Sequence, residues 1–144
     1  MYVKDDKEML NFLLNTTQIS QISIQKILNN SMGPNIRIAL QSQLREYDSI
    51  ESDAHILASQ RGWELHEIQP AKRLMTAITT HVKLIHRKPD KKIADLVIQL
   101  NTRGMIQNLK NQNQYQQKDS QVIFLSQRLL DCETANIKQM QNFL

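Results

Sequence analysis

One cysteine, three glycines, three prolines and a single tryptophan in 144 residues leave this chain short of the residue types that build most specialised sites. The lone Cys132 excludes an intrachain disulfide and a thiolate metal cluster, and its expected role is that of a small core residue. Three isolated glycines cannot make a phosphate-cradling loop, and no glycine-flanked serine supports nucleophilic catalysis. Aromatics, at 5%, are too few to form a platform on which bases or sugars stack. No window approaches the roughly 20 apolar residues of a membrane span, and residues 9–14 are too short and too acid-flanked for a signal peptide. A cytoplasmic protein that avoids membranes is therefore expected. The formal net charge of +4 comes from cations scattered among acids, which fits nucleic acid poorly.

The little backbone punctuation that exists falls mostly between helix-length pieces, at Gly33-Pro34, Gly62, Pro70 and Pro89. Glycine and proline disfavour helix interiors and are tolerated at helix ends, so the chain reads as one all-α domain, residues 1–144, built of long helices. From Asp5 to about Asn30, Leu10, Leu13, Leu14, Thr17, Ile24 and Ile27 recur at three and four, with Gln21 inside the stripe. A second helix opens at Gly33-Pro34, carries Ile36, Leu40, Leu44, Tyr47, Ile50 and Leu57 on one face, and stops at Gly62. There a left-handed cap should fold Trp63 back on the last turn. A third piece is predicted from Pro70 to Pro89, and a fourth from an Asp90 N-cap, bearing Ile93, Leu96, Val97, Leu100 and Leu109. The last runs from about Asp119 with Val122, Leu125, Leu129, Ile137, Met140 and Leu144. Five pieces of these lengths predict an up-down four-helix bundle with its third helix broken near Pro89, or with an extra fifth helix.

Two features sit awkwardly in that pattern. Gly104 lies inside a helical stretch, where it costs about 1 kcal/mol relative to alanine, so a close helix crossing is the expected compensation. The chain also holds 17 glutamines and 11 asparagines, densest over residues 111–117, a run without an apolar face that reads as a polar loop.

In a bundle of this size the chemical question is whether inward carboxylates and histidines hold metal. A two-metal site needs a Glu on each of two helices and Glu-x-x-His on each of the others, because residues three apart share a helix face. No Glu-x-x-His occurs in the chain, and at that spacing Glu133 has Asn136, whose amide is a poor iron ligand. The second helix offers Glu46 beside Tyr47, and Glu51 with His55 at the spacing of an ordinary surface salt bridge, while the fourth offers Asp95 with Gln99. Glu46, Glu51, His55, Asp95 and Glu133 are thus candidates for a looser single-ion site, set against a satisfied network of buried amides and carboxylates. Lys91 and Lys92, in the first turn of a helix where the dipole disfavours cations, are candidates for an anion or phosphate site.

Gln43-Leu44-Arg45-Glu46-Tyr47, the stretch Ile93-Ala94-Asp95-Leu96-Val97-Ile98-Gln99 leading to Gly104-Met105-Ile106, and Asp131-Cys132-Glu133 with Asn136-Ile137 together resemble the ferritin-like helical bundles, in particular small uncharacterised bacterial proteins of spore-coat-like style. The resemblance implies a ferritin-like bundle without implying iron chemistry. Apolar residues off the main stripes, Phe12, Ile19, Ile22, Ile38, Ile56 and Phe124, need cover. They suggest a non-enzymatic module without a cofactor that associates with itself, for instance as a homodimer, or with another protein. The alternative is a ferritin-like oxidoreductase or storage protein that binds iron or another divalent metal, with Glu46 and Glu133 the first positions to suspect.

Overall fold

Two aspartates begin two of the helices. The Asp5 carboxylate accepts from the Glu8 backbone N–H at 2.8 Å, and Asp119 accepts from those of Gln121 and Val122, so free donors of each first turn are satisfied. In the computed structural model, which describes residues 4–66, 89–116 and 119–144, these caps open α1 (Asp6–Leu28) and α4 (Ser120–Met140). Between them lie α2 (Pro34–Arg61) and α3 (Pro89–Gln114), and a single 3₁₀ turn, Gln141–Phe143, follows α4. The described residues form an all-α four-helix architecture, and the helix predicted between Pro70 and Pro89 lies outside them.

α1 packs on α2 and α3 on α4 as two hairpins, and the hairpins meet through α2–α4, α1–α4 and α1–α3 contacts. Clasps at the two ends orient them. At one end Lys4 pairs by backbone with Gln114 and Gln116, Tyr115 and the Asp119 N–H share Asp6, and Arg61 bonds Asp119 at 2.8 Å. The Arg61 guanidinium holds the Asp119 carboxyl below the usual carboxylate range. At the other end the Gly33 N–H donates to Asp90 at 2.8 Å, which places the starts of α2 and α3 side by side. α2 and α3 are therefore parallel, and the chain leaves α2 at one end of the bundle and enters α3 at the other.

The second-helix boundaries follow the punctuation. Pro34 takes the first turn, where its missing N–H is no loss, and Gly62 adopts φ 70°, the left-handed conformation that spares glycine a Cβ clash. Trp63 N–H then reaches Ala58 O at 2.9 Å, closing the cap, and its half-buried ring packs on the core.

Four expectations need correction. Asp90 is the second residue of α3 and spends its carboxylate on Gly33 instead of capping its own helix. The amide-rich run is helical as far as Gln114, because Asn111 donates back to Gln107 O at 2.6 Å and Gln112 reaches Ser126, so amides do on this face what apolar side chains do elsewhere. Leu109 is exposed, since the buried stripe of α3 passes through Asn108 and Asn111 on its inner side. Leu144 is exposed as well, because the 3₁₀ turn after Met140 breaks the register that would have carried it inward.

A carboxyl fills the space beside Gly104. A Cβ at that position would overlap Glu133 Oε2 from α4, so the missing side chain admits a side chain and not merely a closer backbone. Gly33 does the same for Asp90 at the end of the bundle. Alanine at position 104 gains helix propensity worth about 1 kcal/mol but must displace a buried group, for which overpacking costs about 1–3 kcal/mol. Gly104→Ala is expected to destabilise the native protein and, in a Glu133→Ala background, to stabilise it, as read by a urea-denaturation double-mutant cycle. Stabilisation in both backgrounds would show that the carboxyl does not hold the glycine in place.

Candidate functional site

The inner face of α3 changes character along its length. Ile93, Ala94 and Val97 are apolar, and from Asn101 onward the buried positions are Asn101, Asn108 and Asn111. Asparagine inside a helix normally competes with the backbone, and here Asn101 resolves that by donating to Val97 O one turn back at 2.9 Å. Its carbonyl is thereby turned toward the bundle axis. There the fully buried Tyr47 of α2 donates its hydroxyl to Asn101 Oδ1 at 2.8 Å, and Asn136 of α4 donates to the Tyr47 oxygen at 3.1 Å and to Asn101 Oδ1 at 3.3 Å. Three helices thus share one hydrogen-bonded unit. Burial pushes the Tyr47 phenol well above its ordinary range, so it stays a neutral donor.

Two further groups on α4 flank this unit. Cys132 is buried beside Asn136 Nδ2 at 3.7 Å, and burial, with Glu46 and Glu133 adding to it, pushes its thiol up to about 12. A thiol held protonated at neutral pH is no nucleophile. Glu133 is 1% exposed, and its Oε1 is buried without a hydrogen-bond partner. Burial alone raises its carboxyl to about 8. A buried, unpaired acid is costly to a fold and is the kind of group that marks sites.

Beyond Tyr47 and Asn101, between α1 and α3, opens a cleft of about 260 Å³. Ile19, Ile24, Val97 and Leu100 give it apolar walls, Gly104 thins one side, and Arg103 lines it as an exposed side chain. Ser20 and Ser23 also line it, but their hydroxyls donate back to Thr16 O and Ile19 O and leave the walls mostly apolar. The arrangement provides a small apolar chamber over a closed polar base, and among the described residues no activated nucleophile lines it.

The residues singled out from the sequence are dispersed. Glu46 lies on the outside of α2, accepting from Arg128 at 3.1 Å, and Arg128 also bonds Asp53 and Ser49. Glu51 is half-buried, His55 exposed, and Asp95 exposed and bonded to Gln99 at 3.2 Å. Glu133 is the one candidate that faces the interior. Among the described residues no three of His, Cys, Asp and Glu converge where they could hold a metal ion. Lys91 and Lys92 are exposed in the first turn of α3. Gln21, inside the apolar stripe of α1, is buried and donates to Asp48 at 2.8 Å. Asn101 and Arg103 escaped sequence reasoning. The recurrence of Asn101 and Asn108 one heptad apart, with Asn111 a turn on, was the signal for the first, and nothing in the sequence distinguished the second from other surface cations.

The geometry defines a four-helix bundle with a hydrogen-bonded polar interior beside an apolar cleft. No family model, curated protein or solved structure matches the chain.

The acid at position 133 predicts a pH dependence. Its carboxyl titrates near 4.5 when unfolded and about 8 when folded, so between those values the native state holds the proton and the unfolded state has lost it. Stability contributed by the protonated form is full below pH 4.5 and falls as pH rises through 8. Neighbouring Tyr47 and Cys132 stay neutral across that window. From pH 5 to 8 the native protein is expected to lose on the order of 3 kcal/mol that Glu133→Gln does not lose, measured by denaturant titration at each pH. Parallel curves for the two proteins would remove Glu133 as the titrating group.

Proposed function

We propose that the protein is a non-enzymatic binding module on a ferritin-like four-helix bundle, and that it works by receiving a small molecule in the cleft between α1 and α3. The observation that carries this reading is the cleft itself, an apolar chamber of about 260 Å³ set over the Tyr47–Asn101 hydrogen bond. Concave, mostly apolar spaces with a few fixed polar groups are where proteins bind small ligands. Buried Tyr47 and Asn101, held from three helices, supply a rigid floor, so little ordering is required on binding.

The ferritin-like assignment is supported by topology. Two hairpins with α2 and α3 parallel, so that the chain leaves α2 at one end of the bundle and enters α3 at the other, match the arrangement of bundles with a single long crossover. A metal-binding oxidoreductase or storage protein would need Glu46 and Glu133 to share an ion. That donor set does not fit, since Glu46 is exposed against Arg128 while Glu133 is buried against Gly104.

The test uses the full chain labelled with ¹⁵N and titrated with 1-octanol to its solubility limit. Saturable shifts are expected at Ser20, Val97, Asn101 and Gly104, and are expected to vanish in Ser20→Leu, whose side chain enters the cleft, while its thermal melt confirms folding. Shifts scattered over the surface, or unaffected by Ser20→Leu, would remove the cleft as the site.

A second reading, self-association, rests on Phe124 and Ile56, 66% and 52% exposed. The Arg61–Asp119 and Arg128–Asp53 pairs run α2 antiparallel to α4 and bring these two apolar side chains to the same level of one face. Together with exposed Ile38 on α2 they offer apolar area that a second copy could cover. Sedimentation is expected to show a concentration-dependent dimer lost in Phe124→Ser, and a monomer at all concentrations would discard this reading.

A further inference from the structure

Among the described residues the walls of the α1/α3 cleft carry one charge, that of Arg103, which is solvent-exposed. Of the other described arginines, three are engaged: Arg37 donates to the carbonyls of Leu28 and Asn30 at the end of α1, Arg61 pairs with Asp119, and Arg128 with Glu46 and Asp53, while Arg45 is exposed on α2 away from the cleft lining. Among the described residues Arg103 has neither an ion pair nor a hydrogen bond.

The inner end of the cleft is different. The Tyr47 hydroxyl is spent on Asn101 and Asn136, Asn101 donates to Val97 O, and the serines of α1 donate to their own helix. A polar group placed there would lose water without gaining a strong partner, which disfavours it, whereas Ile19, Ile24, Val97 and Leu100 reward apolar area. At about 30 Å³ for each water-sized group, the cleft has room for a chain of roughly eight such units. A guanidinium presents paired donors in a plane that matches a carboxylate, a geometry an alcohol or an amine cannot use.

Resting on the reading of this cleft as the binding site, we propose that its ligand is a small aliphatic monocarboxylate, seated with its chain over Tyr47 between α1 and α3 and its carboxylate on Arg103. Chain burial supplies most of the affinity, and the arginine sets the choice of head group and the direction of entry. Because the ion pair is exposed, its share is modest and falls with salt.

The experiment compares octanoate, 1-octanol and octylamine on the 144-residue chain at neutral pH, by ¹⁵N chemical-shift titration and calorimetry. Octanoate is expected to bind roughly five- to tenfold more tightly than 1-octanol, with octylamine weakest, and the octanoate advantage to shrink at high salt. Arg103→Gln is expected to bring octanoate down to the level of 1-octanol and leave 1-octanol unchanged, while Arg103→Lys retains part of the difference. Equal binding of octanoate and 1-octanol to the native protein, or an octanoate preference that survives Arg103→Gln, would overturn the monocarboxylate assignment and leave the cleft standing as an apolar site. Failure of all three molecules to bind would overturn both.

Discussion

A phenol and two amides share hydrogen bonds in the middle of this bundle, and the placement of three helices depends on keeping them satisfied. Tyr47, Asn101 and Asn136 come from α2, α3 and α4, and removing any one of them strands a polar group in an interior where an unmade hydrogen bond costs more than a made one returns. Such a unit has less tolerance for sliding than a purely apolar seam, because a one-turn shift of α3 past α2 would separate Tyr47 from Asn101 while still burying aliphatic side chains. The apolar core, from Met9 and Leu10 through Ile36, Ile50 and Leu129, supplies the drive to collapse. The polar unit selects one register among those that collapse permits.

Everything near the candidate site inherits that register. Asn101 faces the axis because its own amide is tied to Val97 O, and with Asn101 in place Gly104 falls opposite α4, where Glu133 fills its missing side chain. The same turn of α3 sends Arg103 to the cleft. The cleft is thus a consequence of how α3 is held: its inner positions are committed to α2 and α4, and toward α1 it turns Val97, Leu100 and Gly104, beside Arg103 and Gln107, without filling the space between the two helices.

Glu133 is the strained member of the assembly. It is buried without compensation for Oε1, and it keeps its proton at pH values where other carboxyls have lost theirs. Its placement couples two things that seem unrelated in the chain, an acid on one helix and a glycine on another, 29 residues apart. Fitted by the absence of a methyl group, it ties α3 to α4 at the level of the polar unit. Around it, Cys132 and Tyr47 are neutral for the same reason, so the interior is polar without being charged.

The helices themselves were legible in residue order, since a three-and-four repeat, Asp5 and Asp119 as caps, Pro34 at a first turn and Gly62 at a last are local signals that obey local physics. So was the interior place of Gln21, Tyr47 and Cys132, which share stripes with leucine and isoleucine. Where amides replaced aliphatics the pattern failed: residues 111–114 read as loop because polarity alone cannot tell a solvated asparagine from one bonded across a bundle. The partner of a carboxylate was equally hidden. Asp90 bonds Gly33, Glu46 bonds Arg128, and Glu133 lies against Gly104, and each choice depends on which helices are neighbours and at what height. Short-range periodicity therefore determined the elements and most of their buried faces. The tertiary structure alone decided the polar unit, the cleft and its arginine, because hydrogen bonds and cavities are properties of distances between helices that no single helix contains.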